Sequence, residues 1–198
     1  ISLLFLYKFK NYIINKKSLI IEPKIKLTFI GGDDKNNDIP NRDSADFRVD
    51  SANMFLTNRF QGYDYVLPGA RADIGLSAFT NSELIGSLHG FTGVSRRHTG
   101  DVPSGLSTGT DTDLSDYVAT VSAEKENLYA FSWSGRINST SSNLDQSRTK
   151  LSTRLQNARF TIAHTQLTQN YFTSADSDLE EASVSISQRL KNGVNLRA

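Results

Sequence analysis

The sequence predicts an all-β fold: an antiparallel transmembrane β-barrel segment of about eight strands in a curved sheet, an incomplete barrel. Three observations carry this reading. Apolar and polar residues alternate with a period of two over successive segments. The connections between those segments alternate between short and long. The polar phase carries full charges in mid-strand, whereas the other phase is lean, with many Ala, Gly, Thr and Leu. A water-filled lumen tolerates the first of these phases and lipid tolerates the second, while a close-packed core suits neither.

Taken in chain order, residues 1–17 read as an N-terminal strand or edge whose apolar residues are not one-sided. Residues 18–198 read as the barrel domain, with a long loop at 31–69. Ser18 to Ile30 is β-rich and contains Pro23, which cannot donate to a ladder and so belongs near a strand start or a bulge. Ala72, Ile74, Leu76 and Ala78 alternate with Arg71, Asp73, Gly75 and Ser77. Leu84 to Val94 alternates less cleanly, because Ile85 and Phe91 fall on the wrong phase. Tyr117, Ala119, Val121 and Ala123 form one face of the next segment. Tyr129, Phe131, Trp133, Gly135 and Ile137 form the apolar face of the one after, and fit an aromatic girdle at the membrane interface or a core cluster. Thr149, Leu151, Thr153 and Leu155 oppose Arg148, Lys150, Ser152 and Arg154. Phe160 and Ile162 oppose Arg159 and Thr161. Ala182, Val184 and Ile186 oppose Ser183, Ser185 and Arg189.

Short links fall at 80–83, 124–127, 156–157 and 191–193, and long ones at 31–69, 96–114, 139–146 and 169–180. This is the pattern of outer-membrane barrels, with short periplasmic turns and long extracellular loops. Ten extended residues rise about 33 Å, which a tilt near 45° projects to about the height of the apolar band. A soluble antiparallel sandwich also alternates and is the rival architecture.

Composition narrows the function. The 198 residues carry 22 Lys and Arg against 21 Asp and Glu, for a formal net charge of +1, so there is no basic excess of the kind a nucleic-acid binder shows. The absence of cysteine excludes thiol chemistry, disulfides and Cys-ligated metals in this stretch. No apolar run approaches a transmembrane helix. A mean hydropathy of −0.39 leaves the β-barrel open, because its strands average an apolar and a polar face. The chain starts with Ile and stops in mid-pattern, and reads as a fragment of a longer protein that would aggregate in isolation through its unpaired edges.

No catalytic site is legible. Gly105 to Gly109 satisfies G-x-S-x-G but lies in a Gly/Ser/Thr/Asp stretch with no helical pattern after it. Asp34 to Asp38 opens like a calcium loop, yet Ile39 and Ala45 stand where Gly and Glu are required; Asp33, Asp34, Asp38 and Asp43 read as solvated. His89, His98 and His164 show no metal spacing. No cofactor, metal or catalytic residue is expected.

The long connection is unusual in being rich in Phe, Met and Tyr between Phe47 and Asp64. Asp50 or Ser51 can cap a short helical turn there, with Met54, Phe55 and Phe60 turned toward a common surface. Apolar groups of that size favour burial, and in a barrel the available place is the lumen. The segment is therefore expected to fold inward as a partial plug, the alternative being a loop docked on its neighbours outside. Arg136, Arg148, Lys150, Arg154, Arg159 and Arg189 are the candidate lumen-facing basic residues. Arg suits phosphate through its fork of donors, but each can equally solvate the lumen or pair with a carboxylate.

The ordered series Ile20-Ile21-Glu22-Pro23, Ile39 to Ser44 with Phe47, Asn53-Met54-Phe55, and Asn58-Arg59-Phe60-Gln61-Gly62-Tyr63-Asp64 resembles the C-terminal barrel domain of the LptD family of LPS-assembly outer-membrane proteins, in its alphaproteobacterial-type form. Gly69 to Leu76 and Leu114 to Val118 fit the family's later motifs. Arg42, Gln61 and Tyr65 depart from the usual residues, which weakens the case for a salt bridge inside the loop. The family-motif residues are Asn53, Phe55, Asn58, Arg59, Phe60, Gly62, Tyr63 and Asp64. The resemblance implies an integral barrel of the Gram-negative cell outer membrane that transports lipopolysaccharide into the outer leaflet without covalent chemistry. It also implies an LptE-like plug lipoprotein, a periplasmic Lpt bridge and outer-membrane lipids as partners. A general porin or receptor barrel and a soluble β-sandwich binding module are the alternatives.

Overall fold

A computed structural model describes residues 2–6, 12–14, 17–31, 49–60, 66, 68–100, 109, 112–168, 178–189 and 195–197. The described strands are β1 (Ser2–Leu6), β2 (Tyr12–Ile14), β3 (Lys17–Ile30), β4 (Gly69–Ser82), β5 (Gly86–Arg97), β6 (Tyr117–Lys125), β7 (Tyr129–Ile137), β8 (Leu144–Leu155), β9 (Ala158–Leu167), β10 (Leu179–Arg189) and β11 (Asn195–Arg197). All pairings are antiparallel, and the strands form one sheet in the order β1-β3-β4-β5-β6-β7-β8-β9-β10-β11, with β2 also on β3. The eight long strands, β3 to β10, match the seven alternating segments and the β-rich stretch Ser18 to Ile30. Among the described residues no pairing joins the two ends of the sheet, which is therefore not closed.

β1 and β2 lie along the same edge of β3 and run in the same direction. Leu6 pairs with Lys24 and Tyr12 with Leu19, so the two ladders are one residue out of register with each other. Residues 20–23 of β3 face this interruption. Pro23 is thus in mid-strand, opposite Leu76 of β4, but in the stretch that neither short strand pairs.

The turns alternate as expected. Residues 83–85, 126–128 and 156–157 make short links, with Asn127 and Gln156 in the left-handed region. The expected long link at 139–146 is shorter, because Leu144, Asp145 and Gln146 join β8. Asn138 tightens it: its side-chain oxygen accepts the N–H groups of Thr140 and Ser141, and its own N–H donates to the Asn143 carbonyl. Leu84 and Ile85 belong to a turn rather than to β5, which removes part of the blurred alternation there. At the other end of the sheet, Gly69 and Gly100 (φ 106° and 93°) let two chain segments cross. A Cβ on Gly69 would lie 2.0 Å from the Thr99 carbonyl oxygen, and one on Gly100 2.2 Å from that of Pro68. The acidic stretch read as solvated (Asp33 to Asp43), residues 61–65, most of the G-x-S-x-G stretch and the turn at 191–193 lie outside the described residues.

Ladder register sorts the side chains onto two faces. Ala123, Phe131, Leu151, Ile162 and Val184 form one continuous cross-strand row, flanked by Ile74 opposite Val94. This face is uncovered among the described residues: Ile162 is 53% exposed and Val184 69%. A sandwich would bury these groups against a second sheet; here the apolar face stands open, as a lipid-facing wall does. Trp133 lies on it with its ring over Gly135 and its indole N–H donated to Ser147 Oγ (3.2 Å). Tyr129 alone of the expected girdle is tied to the short-turn rim, donating its hydroxyl to the Ile85 carbonyl (2.6 Å). The opposite face carries Lys26, Asp73, Ser95, Arg148 and Lys150.

The face assignment predicts an asymmetry between neighbours. Ile162→Arg should cost about 2–4 kcal/mol as a charge near the bilayer midplane, whereas Thr161→Arg on the polar face should cost under about 1 kcal/mol. Heat-modifiable mobility of the full-length protein, extracted from membranes, measures the difference. Equal losses for the two substitutions would overturn the assignment.

Candidate functional site

The segment 49–60 folds back onto the polar face of β3, β4 and β5. Its local shape comes from Asp50. The Asp50 carboxylate accepts the N–H groups of Ala52 (2.9 Å) and Asn53 (2.8 Å), and Asn53 Oδ1 in turn accepts the Asp50 N–H (2.9 Å). The Met54 N–H donates to the Asp50 carbonyl (3.0 Å), closing a single tight turn. Of the two expected caps, Asp50 is the one used.

This turn drives Met54 into the sheet. Gly75 and Gly93 are directly opposite one another in the ladder and leave a socket. A Cβ on Gly93 would lie 2.5 Å from Met54 Sδ, and one on Gly75 2.9 Å from the Phe55 ring. Phe55 meets Phe91 edge-on, with ring centroids 6.3 Å apart. Met54, fully buried, forms the described apolar core with Val49, Phe60, Phe91 and Val118. Phe91 breaks the alternation of β5 because it packs against this segment instead of facing outward. The core thus lies on the charged face of the sheet, and the inward fold expected of the long loop is what the described segment adopts.

Charge completes the contact. Arg59 Nη2 donates to Asp73 Oδ1 (2.6 Å), to the Met54 carbonyl (2.9 Å) and to Ser95 Oγ (2.9 Å). The Ser95 hydroxyl donates to the same carboxylate oxygen (2.6 Å). Arg71 Nε reaches Asp73 Oδ2 (3.3 Å), and Arg71 Nη2 donates to the carbonyls of Leu56 and Thr57. Lys26 Nζ donates to the Phe55 carbonyl (2.7 Å) and to Thr57 Oγ1 (2.9 Å). Asp73 is fully buried and Arg59 is 3% exposed. Burial lowers the Arg59 pKa to about 10; Asp73 opposes that fall and Arg71 adds to it.

Of the family-motif residues, Asn53, Phe55, Asn58, Arg59 and Phe60 converge here. Asn58 Oδ1 accepts the Phe60 N–H (3.3 Å). Gly62, Tyr63 and Asp64 lie outside the described residues. The sequence reading places Arg71, Asp73 and Gly75 on the charged phase without linking them to the loop, and it passes over Lys26, Gly93 and Ser95. The off-phase Phe91 and the two in-phase glycines are the signals that would have found them.

The candidate basic residues divide. Arg136 is buried against Asp116 (Nε to Oδ2, 3.2 Å), so it takes the paired role that the sequence left open. Gly109 lies over this pair: its added Cβ would meet Asp116 Oδ2 at 2.9 Å. Arg148, Lys150, Arg154 and Arg159 are exposed on the polar face of β8 and β9. Arg154 and Arg159 stand directly opposite one another, and Arg154 Nη1 donates to Asn127 Oδ1 (2.9 Å). The Arg189 side chain is outside the described set.

A family model described as LptD, LPS transport system D, matches residues 2–194. The match begins well upstream of Ser18, so it takes in β1 and β2 as well as the motifs that carry the resemblance. It ties the chain to lipopolysaccharide transport and assembly at the outer membrane. A comparison with curated proteins finds no significant match.

Removing the counter-charge should release the segment. Asp73→Asn leaves Arg59 buried without a full partner, at about 3 kcal/mol or more. Cleavage after Arg59 by a trypsin-like protease should accelerate about a hundredfold when local opening controls the rate. Gly93→Val should act in the same direction by filling the Met54 socket. Unchanged cleavage in both variants would show that the segment is not held by these contacts.

Proposed function

The chain belongs to the LptD family, and we propose that it supplies barrel wall and inward-folded loop to an outer-membrane machine that places lipopolysaccharide in the outer leaflet, without covalent chemistry. The observation that carries this is the basic ladder on the polar face, set behind an open apolar face. Arg148 and Lys150 are alternate residues of β8, and Arg154 follows on the same face past Ser152, with Arg159 opposite Arg154 on β9. Alternate residues on a strand are about 6.7 Å apart, so the cations run up the wall from the short-turn rim in one step of about 13 Å, with Ser152 between, and one of about 7 Å, spans a phosphorylated saccharide can bridge. Guanidinium groups meet phosphate oxygens with paired donors. Ser132 and Ser152 fill the same face with hydroxyls that accept or donate to sugars.

The division of labour follows the faces. The row through Phe131, Leu151 and Ile162 holds the wall in lipid. Among the described residues the lumen side offers charge and groups no cluster of metal ligands, and in this reading it moves its substrate by successive weak contacts. Residues 18–198 form the barrel domain in this reading, with residues 1–17 as its edge. Lipopolysaccharide is the substrate, a plug lipoprotein shares the lumen, and a periplasmic bridge delivers the lipid.

The test is complementation of a strain depleted of the parent gene with the full-length protein carrying Arg148, Lys150, Arg154 and Arg159 all replaced by Gln. Lost charge-assisted contacts of this kind are worth about 1.5–3 kcal/mol each, so delivery of new lipopolysaccharide to the cell surface should slow by about tenfold or more. Heat-modifiable mobility confirms that the variant is folded. A folded variant with undiminished surface lipopolysaccharide would sink the proposed role of the ladder. Undiminished surface lipopolysaccharide on depletion itself would sink the transport reading.

A further inference from the structure

We infer that Lys26, Arg71 and the Thr28 hydroxyl form a binding site for a phosphate group, and that the carbonyls of residues 55–57 occupy it as a displaceable strap. The identity of the natural ligand, a phosphorylated saccharide, rests on the transport reading above; the existence of the site does not.

Three observations lead to it. The first is the way the strap is held. The carbonyls of Phe55, Leu56 and Thr57 are taken in succession by Lys26 Nζ and Arg71 Nη2, and Thr57 Oγ1 is taken by Lys26 as well. The sheet thus grips the strap largely through its backbone, as it would grip any chain of oxygen acceptors of that spacing.

The second is the charge balance. Lys26, Arg71 and Arg59 surround one carboxylate, Asp73. Asp73 accepts from Arg59, Arg71 and Ser95, so its charge is spent mainly on the Arg59 side. Lys26 and Arg71 meet neutral carbonyls in a place largely withdrawn from water. Hydrogen bonds between two ionised groups are about twice as strong as those to neutral acceptors, so a phosphate would satisfy these two cations better than the strap does.

The third is Thr28. It is 1% exposed, its Oγ1 has no hydrogen-bond partner, and it stands directly opposite Arg71 on the polar face, two residues from Lys26. A buried hydroxyl without a partner has lost its hydration with nothing in return. A phosphate between Lys26 and Arg71 gives it an acceptor.

The strap is built to move while its anchor stays. Leu56 is half exposed and Thr57 exposed, so lifting residues 55–57 uncovers little beyond the edge of Phe55. Met54 on one side and the Arg59–Asp73 pair on the other remain seated. The site also lies toward the long-loop end of β3 and β4, about 20 Å above the short turns for a tilt near 45°. It would therefore meet a phosphorylated headgroup late in its passage, after the open ladder on β8 and β9.

The experiment follows the strap directly. The full-length protein in detergent carries Leu56→Cys with a nitroxide label and is titrated with inorganic pyrophosphate at constant ionic strength. The label should gain mobility saturably. Thr28→Val, which alters no charge, should leave the starting spectrum as it was and raise the midpoint severalfold. Lys26→Gln with Arg71→Gln should abolish retention of one radiolabelled pyrophosphate per protein in equilibrium dialysis, a readout independent of the strap. Bisphosphorylated lipid A should compete for that retained pyrophosphate and its dephosphorylated form should not; competition by neither assigns the site to free phosphate, and competition by both shows that phosphate is not what the site recognises and overturns it. An unmoved label, or a midpoint or retention unaltered in the variants, overturns the site. Because surface delivery of lipopolysaccharide is measured separately, that failure is distinguishable from failure of the transport reading.

Discussion

Asp73 is the residue on which the inward face is organised. A carboxylate with no exposure cannot persist charged without compensation, and this one receives Arg59 from the long loop, Arg71 from its own strand and the hydroxyl of Ser95 from the next strand. Desolvating two charges offsets most of what their attraction returns, so such a pair contributes less to net stability than to uniqueness. Here the uniqueness is positional. The pair admits one placement of Arg59, and Arg59 also holds the Met54 carbonyl, so the turn capped by Asp50 is set over the Gly75–Gly93 socket. Without the ion pair, a mobile loop rich in Phe and Met has many apolar surfaces to choose from. With it, the loop has one.

The same constraint explains why the described core is on the charged side of the sheet. The other side is a continuous row of Phe, Leu, Ile and Val with nothing packed on it among the described residues. Such a row satisfies the requirements of a wall in hydrocarbon: apolar side chains outward and every central backbone group paired within the ladder. A wall of this kind has no use for a core of its own on that face. Compaction comes from what is folded against the inner face, and the long loop supplies it. Pro23 and the one-residue slip beside it show the converse, a place where the ladder on one edge is relaxed rather than tightened.

The alternation was legible because period two is a local property. The strands were found from Ala72-Ile74-Leu76-Ala78 or Thr149-Leu151-Thr153-Leu155 without knowing any partner. Their faces followed, and the apolar phase read from the chain is the uncovered face of the sheet. The site was only half legible. Arg59 and Phe55 stood out through the motif series and Asp73 through its place in mid-strand, but nothing local joins residues fourteen positions apart across an intervening loop. Lys26 was hidden because a lysine in mid-strand reads as lumen solvation. Phe91 was visible only as noise in the pattern. Its phase error is the trace of a tertiary contact, since an aromatic on the water side of a strand needs a cover and the cover is Phe55. The link at 139–146 was misjudged for a different reason: Asn138 closes a tight turn with its own side chain, and the bulge at Arg136 and Ile137 lets β8 start early.

The inner face is therefore two surfaces. Over β3 to β5 the loop, the ion pair and the socket make it closed and specific. Over β8 and β9 it is bare and cationic, with Arg154 and Arg159 directly opposed. Like charges facing one another across a ladder are destabilising by a few tenths of a kcal/mol to about 1 kcal/mol. They are tolerated where water screens them and become favourable where an anion lies between them. In the proposed transport role, a closed half built on one carboxylate and an open half built on four cations would give the wall a direction for anions, from the short-turn rim toward the strap at the far end. Direction is what that role requires of a wall, and here it would come from ordinary charges placed on one face of strands whose apolar phase faces the other way.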